Sequence, residues 1–315
     1  MRLVFMGTPD FASASLEALL RSDDSVVGVV TQPDRPKGRG QILTPSPVKL
    51  LAQRAQIPLL QPLKMKEPEF LHALAGWSPD LIAVAAFGRI LPPAILSLPP
   101  RGCINVHGSL LPKYRGAGPI QWAIVNGETE TGITTMLMDE GMDTGAMLLQ
   151  EALPITPDDT AGTLSPRLAA LGGRLLVETI ARLKAGTLVP RPQDSSRATL
   201  APLLKKEDGA IDWALPATAL ANRVRGLSPW PGAHIRMAGG DRWKIWRVLA
   251  LPGPVTKPPG VIVAITNEAI HVATGDGILA VMELQPANSR RMAVSQYLAG
   301  HPVAVGVRLG GPALS

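Results

Sequence analysis

With 315 residues, 46% of them apolar and 18% charged, the chain has room for two domains of ordinary size, and its composition excludes a disordered or fibrous protein. No run approaches 18 apolar residues, which excludes an apolar helical membrane span, and the opening run breaks at Gly7-Thr8-Pro9, too early for a secretory leader. The net charge of +6 is uneven: residues 1–200 carry 19 basic against 18 acidic side chains and residues 201–315 carry 12 against 7, an excess that suits a polyanion such as RNA but also lies within ordinary surface charge.

In chain order, Arg2 to Met6 reads as a buried strand that turns at Gly7 into a helix over Asp10 to Leu20, with a second strand at Val26 to Val30. The order resembles a nucleotide-binding start, but GTPDFA lacks G-x-G-x-x-G, so a dinucleotide is disfavoured. Residues 32–47 form a long loop with a basic centre at Arg35, Lys37 and Arg39, the kind of insertion that binds or covers a ligand. A helix at Val48 to Ala55, a short strand at Ile57 to Leu60, a helix at Glu67 to Ala75 and a buried strand at Asp80 to Ala86 follow. Strands alternating with helices predict an α/β domain with a Rossmann-like parallel sheet. Further on, a helix is predicted within 118–125, strands at 132–138 and 146–152, and a capped helix from Asp159 or Thr160 to Lys184. Periodicity is lost over 186–206, and residues 189–204 are taken as the linker between a domain of residues 1–188 and one of residues 205–315. The second domain reads as a helix over Ala214 to Val224 and then short strands at 243–249, 260–265, 269–273 and 278–285, a pattern that predicts a small β-barrel, with 300–315 fraying.

Residues 103–122, CINVHGSLLPKYRGAGPIQW, carry the chemistry. Cys103 to His107 alternates as a strand does, so Asn105 and His107 project from one face and are expected to point beyond the strand end, where open parallel sheets bind ligands. Cys103 is a lone cysteine on that strand; it rules out an internal disulfide, fits the reducing cytoplasm and is read as core.

The stretch HGSLLPKYRGAGPIQW (107–122) together with DEGMDTG (139–145) resembles the signature of the folate-dependent formyltransferases. Similarity runs from MGTPDFA at residue 6 through KEDGAIDW (206–213) and LSPWPGA (227–233), and it is strongest to the branch of that family acting on methionyl-tRNA. The resemblance implies that Asn105, His107 and Asp143 are the catalytic residues, that 10-formyltetrahydrofolate is the formyl donor, and that the second domain is an OB-fold-like barrel. It places folate against Ser109, Leu110, Leu111 and Pro112, with Phe87, Gly88, Arg89, Ile90 and Leu91 walling the pterin pocket. RPKGRGQILTPSPVK (35–49) is similar to the loop that enters the acceptor end of tRNA, which makes Arg35, Lys37 and Arg39 candidate contacts to an initiator methionyl-tRNA.

Formyl transfer to an amine needs a donor to the oxyanion of the tetrahedral intermediate and a proton for the leaving nitrogen. Asn105 suits the first, His107 oriented by Asp143 the second, and the substrate's amine is the nucleophile. Five scattered histidines in no H-E-x-x-H spacing give no metal site. A monomer working in the cytoplasm without membrane contact is expected. Other formyltransferases acting on a sugar-nucleotide or ribonucleotide amine, a formyltetrahydrofolate hydrolase, and a non-catalytic RNA-binding relative remain alternatives. The basic loop favours tRNA over the first three, and the intact Asn105, His107 and Asp143 favour an enzyme over the last.

Overall fold

The computed structural model describes residues 1–37, with Lys37 by its backbone alone, then 40–237 and 240–310. It divides into one unit of Met1–Pro119, Glu130–Pro154 and Ser165–Pro202 and another of Ile120–Thr129, Ile155–Leu164 and Leu203–Ser315.

The first unit opens with β1 (Arg2–Gly7), α1 (Asp10–Leu20) and β2 (Ser25–Val30). After its exposed first residue, β1 is buried throughout, as a parallel strand covered on both faces must be. In α1, Ala12, Ser15, Leu16 and Leu19 are buried at helical spacing, and Asp10 sits in the first turn, where the helix dipole favours an anion. The loop expected at 32–47 contains a hairpin of β3 (Arg35–Lys37) and β4 (Ile42–Thr44). Next comes α2 (Pro47–Arg54), started by Ser46, whose side chain accepts from the Lys49 N–H at 3.0 Å, with Pro47 in the first turn. Then follow β5 (Leu59–Leu60), α3 (Pro68–Gly76), β6 (Leu81–Ala85), α4 (Pro93–Leu96), β7 (Cys103–His107) and β8 (Arg115–Gly116). Further along the chain come α5 (Pro119–Val125), which past Pro119 belongs to the second unit, then β9 (Glu130–Leu137), β10 (Met147–Pro154), α6 (Ala161–Lys184), whose first four residues belong to the second unit, and β11 (Leu200–Ala201).

The seven-stranded sheet runs β10-β9-β7-β6-β1-β2-β5. From β7 to β5 it is parallel, as the alternating pattern predicts, whereas β9 is antiparallel to β7 and β10 antiparallel to β9. The chain leaves β1 for β2 on one side and reaches β6 on the other, so the carboxyl ends of β1 and β6 flank a switch point of the kind that opens a ligand crevice. On one face of the sheet Val4, Met6, Val30, Phe70, Leu74, Ile82, Val84, Ile95 and Cys103 form one apolar cluster. Burial there pushes the Cys103 thiol up to about 12.

Residues 189–204, read from sequence as the linker, include a bridge from Arg191 to Met147 and the two residues of β11, which pair in parallel with β8.

The second unit holds α7 (Ala217–Gly226), β12 (Ala233–Arg236), β13 (Arg242–Leu251), β14 (Ile262–Ile265), β15 (Ile270–Ala273), β16 (Ile278–Gln285), β17 (Met292–Ala293) and α8 (Val294–Leu298). Its antiparallel sheet runs β12-β13-β16-β15-β14, with β17 also on β16. Trp213, Leu220, Val224, Trp243, Ile270, Leu279 and Leu284 are buried in its core. Of the stretch expected to fray, 300–315, residues 311–315 lie outside the described residues, and residues 307–310 are held in place. Val307 O accepts from the Ile262 N–H at 2.8 Å, Leu309 donates to Gly260 O at 2.7 Å, and the Leu309 side chain is buried. A Cβ on Gly310 would lie 3.3 Å from Arg236 O of β12, so the tail lies between the two edge strands of the sheet, as a barrel-like closure requires. Among the described residues, no helix is long and apolar enough to cross a membrane.

Two outcomes follow from this packing. The Trp77 ring lies on Gly28 of β2, where an added Cβ would come within 2.2 Å of it, so Gly28→Ala should lower the unfolding free energy in urea by about 1–3 kcal/mol. Buried, and with its thiol pushed up to about 12, Cys103 should resist a thiol-specific reagent in the native protein and react at once in denaturant.

Candidate active site

The site is built on β7. Asn105 and His107 leave the same face, as the alternation predicts, about 6.6 Å apart along the strand. Sequence reading aimed them past the strand end, and the structure differs. Because β9 runs antiparallel to β7, the chain leaves it beside the start of β7, where Met138 donates to Cys103 O at 2.8 Å. Residues 139–145 then come back over the strand's face, and this loop delivers Asp143 to both side chains. One carboxylate oxygen accepts from Asn105 Nδ2 at 3.4 Å; the other lies 3.5 Å from His107 Nδ1 and accepts the Gly116 N–H at 2.9 Å.

The loop's sequence explains its shape. Asp139 Oδ1 accepts from the Gly141 N–H at 3.0 Å and from Thr144 Oγ1 at 2.7 Å, closing a turn of the kind Asp residues form with their own backbone. A Cβ on Gly145 would stand 1.7 Å from Leu137 O, so only glycine lets the loop lie this close to β9. Asp143 itself adopts φ +55, a left-handed conformation that Asp tolerates better than most residues.

His107 is 4% exposed and held at both nitrogens. Its Nε2 lies 2.9 Å from Tyr114 O, and since a carbonyl can only accept, that nitrogen carries a hydrogen. Nδ1 is left facing Asp143. Tyr114, at φ +63, is a bulky residue in the left-handed region, a strain of roughly 1–3 kcal/mol that the surrounding contacts sustain.

Ser109, Leu110, Leu111 and Pro112 form a turn built on Thr134. Thr134 Oγ1 donates to Ser109 O at 2.7 Å and accepts from the Leu111 N–H at 3.1 Å, while Gln150 Nε2 donates to Thr134 Oγ1 and to Leu111 O, each at 2.9 Å. The Ser109 hydroxyl is buried and donates to Lys113 O at 2.6 Å, and Leu111 is buried too, so Leu110 and Pro112, both half-buried, are the side chains this turn presents. In the other expected wall, Phe87 and Leu91 are buried in the apolar cluster that also holds Cys103 of β7. Gly88, Arg89 and Ile90 lie at the surface; Arg89 donates to Leu63 O at 2.6 Å, and the Ile90 side chain is 82% exposed. Gln32 Nε2 fixes this exit from β6 by donating to Phe87 O at 2.7 Å.

Arg35 of β3 donates to Gln32 Oε1 at 2.7 Å, and β4 exposes Ile42 and Leu43. Arg39 and the Lys37 side chain lie outside the described residues. At the base of the hairpin, hydrogen bonds from Lys49 and Gln61 hold the Asp34 carboxyl below its usual range.

Sequence reading missed four contributors: Thr134, the Tyr114 carbonyl, the Gly116 N–H and Gln193. Gln193 Nε2 donates to Asp143 O and Gly145 O, each at 2.8 Å, and its Oε1 accepts from Arg115 Nε and Nη2 at 3.0 and 2.8 Å. Two of the four act through backbone atoms, which leave no mark on residue type. Gln193 lies in a stretch without periodicity.

Residues 1–180 match the formyl transferase family and residues 203–302 the formyl transferase C-terminal domain. A methionyl-tRNA formyltransferase of Trichlorobacter lovleyi is 53% identical over 98% of this chain and 96% of its own, and one of Pelotomaculum thermopropionicum is 52% identical over 98% and 99%. Among solved structures, an N-formyltransferase of Helicobacter canadensis in complex with folinic acid and dTDP-3-aminofucose has a TM-score of 0.65 at 19% identity, over 92% of this chain and 99% of that one. HypX of Aquifex aeolicus in complex with tetrahydrofolic acid has a TM-score of 0.60 at 17% identity; 98% of this chain matches 50% of that longer one. At such identities these two likenesses are of fold. With both units matched and half of the sequence shared over nearly its full length, the chain belongs to the formyl transferase family and, within it, to the methionyl-tRNA formyltransferases.

Proposed function

We propose that this enzyme transfers a formyl group from 10-formyltetrahydrofolate to the α-amine of initiator methionyl-tRNA, and that Asn105, His107 and Asp143 carry the reaction. The observation that carries this reading is the meeting of those three side chains, from two separate segments, through a single carboxylate.

An aminoacyl α-amine titrates near pH 8, so part of it is free base at neutral pH and can attack without a protein nucleophile. Its lone pair forms a bond to the formyl carbon, and the carbonyl oxygen becomes an oxyanion. Asn105 Nδ2 has two hydrogens; one faces Asp143, and the other donates to that oxyanion, an interaction worth about 3 kcal/mol in the transition state. Collapse expels N10 of the folate, which must gain the proton that the attacking nitrogen loses. The Nε2 hydrogen of His107 is tied to Tyr114 O, so Nδ1 is the nitrogen that relays this proton, and Asp143 steadies the ring while it is charged. No net proton is consumed. Leu110, Pro112 and Ile90, the side chains their loops present, are the folate contacts, with Ser109, Leu111, Phe87 and Leu91 holding those loops in shape.

Formyl transfer is assigned to residues 1–188 and tRNA binding to residues 205–315, helped by Arg35, Lys37 and Arg39. The positive excess of the last third supports that division, since cationic surface binds phosphate by releasing counterions.

The test is to offer purified protein 10-formyltetrahydrofolate with charged initiator methionyl-tRNA, and in parallel with a sugar-nucleotide amine and a ribonucleotide amine. Formylation of methionyl-tRNA alone is expected; formylation of another amine in its place would overturn the reading. Asn105→Ala should lower kcat by at least about a hundredfold with folate affinity kept within about twofold, measured by single-turnover kinetics and equilibrium binding.

A further inference from the structure

Asp143 has its carboxylate fixed by Gly116, but a carboxylate is only as well placed as the backbone it hangs from. That backbone is a surface loop in a left-handed conformation, with the φ of Asp143 at +55. Beside the turn that Asp139 closes within the loop, one side-chain amide from a different segment restrains it. Gln193 spends both amide hydrogens on the carbonyls of Asp143 and Gly145, at 2.8 Å each. Its oxygen is held by two guanidinium hydrogens of Arg115, a residue that is 8% exposed and next to Gly116. The amide is therefore saturated, and it ties the loop bearing Asp143 to the segment whose N–H binds the Asp143 carboxylate. The carbonyl on one side and the carboxylate on the other fix both ends of the same residue.

We propose that Gln193 is a positioning residue that holds Asp143 over Asn105 and His107; the catalytic consequence rests on the formyl-transfer reading, the positional one does not. Methionine fills the same space with neither donor nor acceptor. Glutamate keeps the acceptor for Arg115 but replaces the one nitrogen that carries both donors by an oxygen facing two carbonyls. If hydrogen bonding places Asp143, both changes displace it; if Gln193 only fills space, methionine is tolerated.

The experiment compares wild type, Gln193→Met and Gln193→Glu, each also with Asp143→Ala, by turnover and by amide hydrogen exchange at Gly116 and Gly118. Gly116 donates to the Asp143 carboxylate, whereas Gly118 donates to Ala201 O at 3.1 Å and reports on the pairing of β8 with β11. Expected in both variants is a 10- to 100-fold lower kcat, the loss typical of a group displaced by about an ångström, with the KM for folate within about twofold. Gly116 should exchange at least about tenfold faster while Gly118 is unchanged, and with Asp143→Ala the further change should be less than about twofold in both readouts. Unchanged exchange at Gly116 in both variants would overturn the proposal whatever the turnover. So would equal acceleration at Gly118, which marks general loosening, or a further loss of turnover on top of Asp143→Ala. A wild type that formylates no amine would end the functional reading, and Gly116 exchange would still decide whether Gln193 holds Asp143.

Discussion

The arrangement depends on one carboxylate with two oxygens facing two side chains that a strand places two residues apart. On a β-strand, residues i and i+2 share a face but stand too far apart to bond each other. Asn105 and His107 become a unit only because Asp143 touches both, at 3.4 and 3.5 Å, while a backbone N–H keeps it from turning away. Both contacts are long for hydrogen bonds, and the firm one, at 2.9 Å, is to Gly116. The orientation of the carboxylate is thus set by backbone, and the two side chains meet a group already in place. Such preorganisation lets a donor favour charge that appears only in the transition state, because little has to move when it forms.

The antiparallel pair at the edge of the sheet makes that contact possible. Were β9 parallel to β7, the loop after it would emerge beyond the carboxyl end, beside His107 but away from Cys103. Running antiparallel, it emerges at the start of β7, and a loop of a few residues can return along the strand's face to reach positions 105 and 107 in turn. The cost is a loop pressed against its own strand, with a glycine where any side chain would meet Leu137 O. The unit is therefore a parallel α/β sheet only as far as β7, and Asn105, His107 and Asp143 meet where it departs from that plan.

The parts written in side-chain pattern were legible in the sequence. The β1-α1-β2 opening, the body of α2 and the capped α6 followed from side-chain pattern, because burial of an amphipathic face requires particular residue types, whereas the Ser46 and Pro47 start of α2 was read as loop. Asn105 and His107 were legible as one face, and Asp143 came with the resemblance. The parts written in backbone were less so. The β3-β4 hairpin has exposed residues and no alternation to reveal it, and the short β12 follows a Pro- and Gly-rich run that reads as loop. Phe87 and Leu91 show their burial in sequence, as large apolar residues beside a strand end, but not the cluster with Cys103 in which they are buried.

The same distinction bears on residues 181–202, which lie between the two family matches. To a reader of patterns this stretch is a connector, since it has no buried periodic face. Yet Thr199 accepts through its carbonyl from the Arg115 N–H at 2.8 Å and through its hydroxyl from the Tyr114 N–H at 2.9 Å, and Ala201 accepts from Gly118. These bonds hold the chain on both sides of Tyr114, the residue whose left-handed backbone aims its carbonyl at His107. A strained carbonyl keeps its direction only where neighbouring groups oppose its relaxation. The segment thus sustains the hydrogen-bond partner of His107 through Thr199 and contacts the loop of Asp143 through Gln193. Hydrogen bonds to main-chain atoms ask little of the residues they join, so a stretch that is structurally part of the site can look, in sequence, like the tether that follows it.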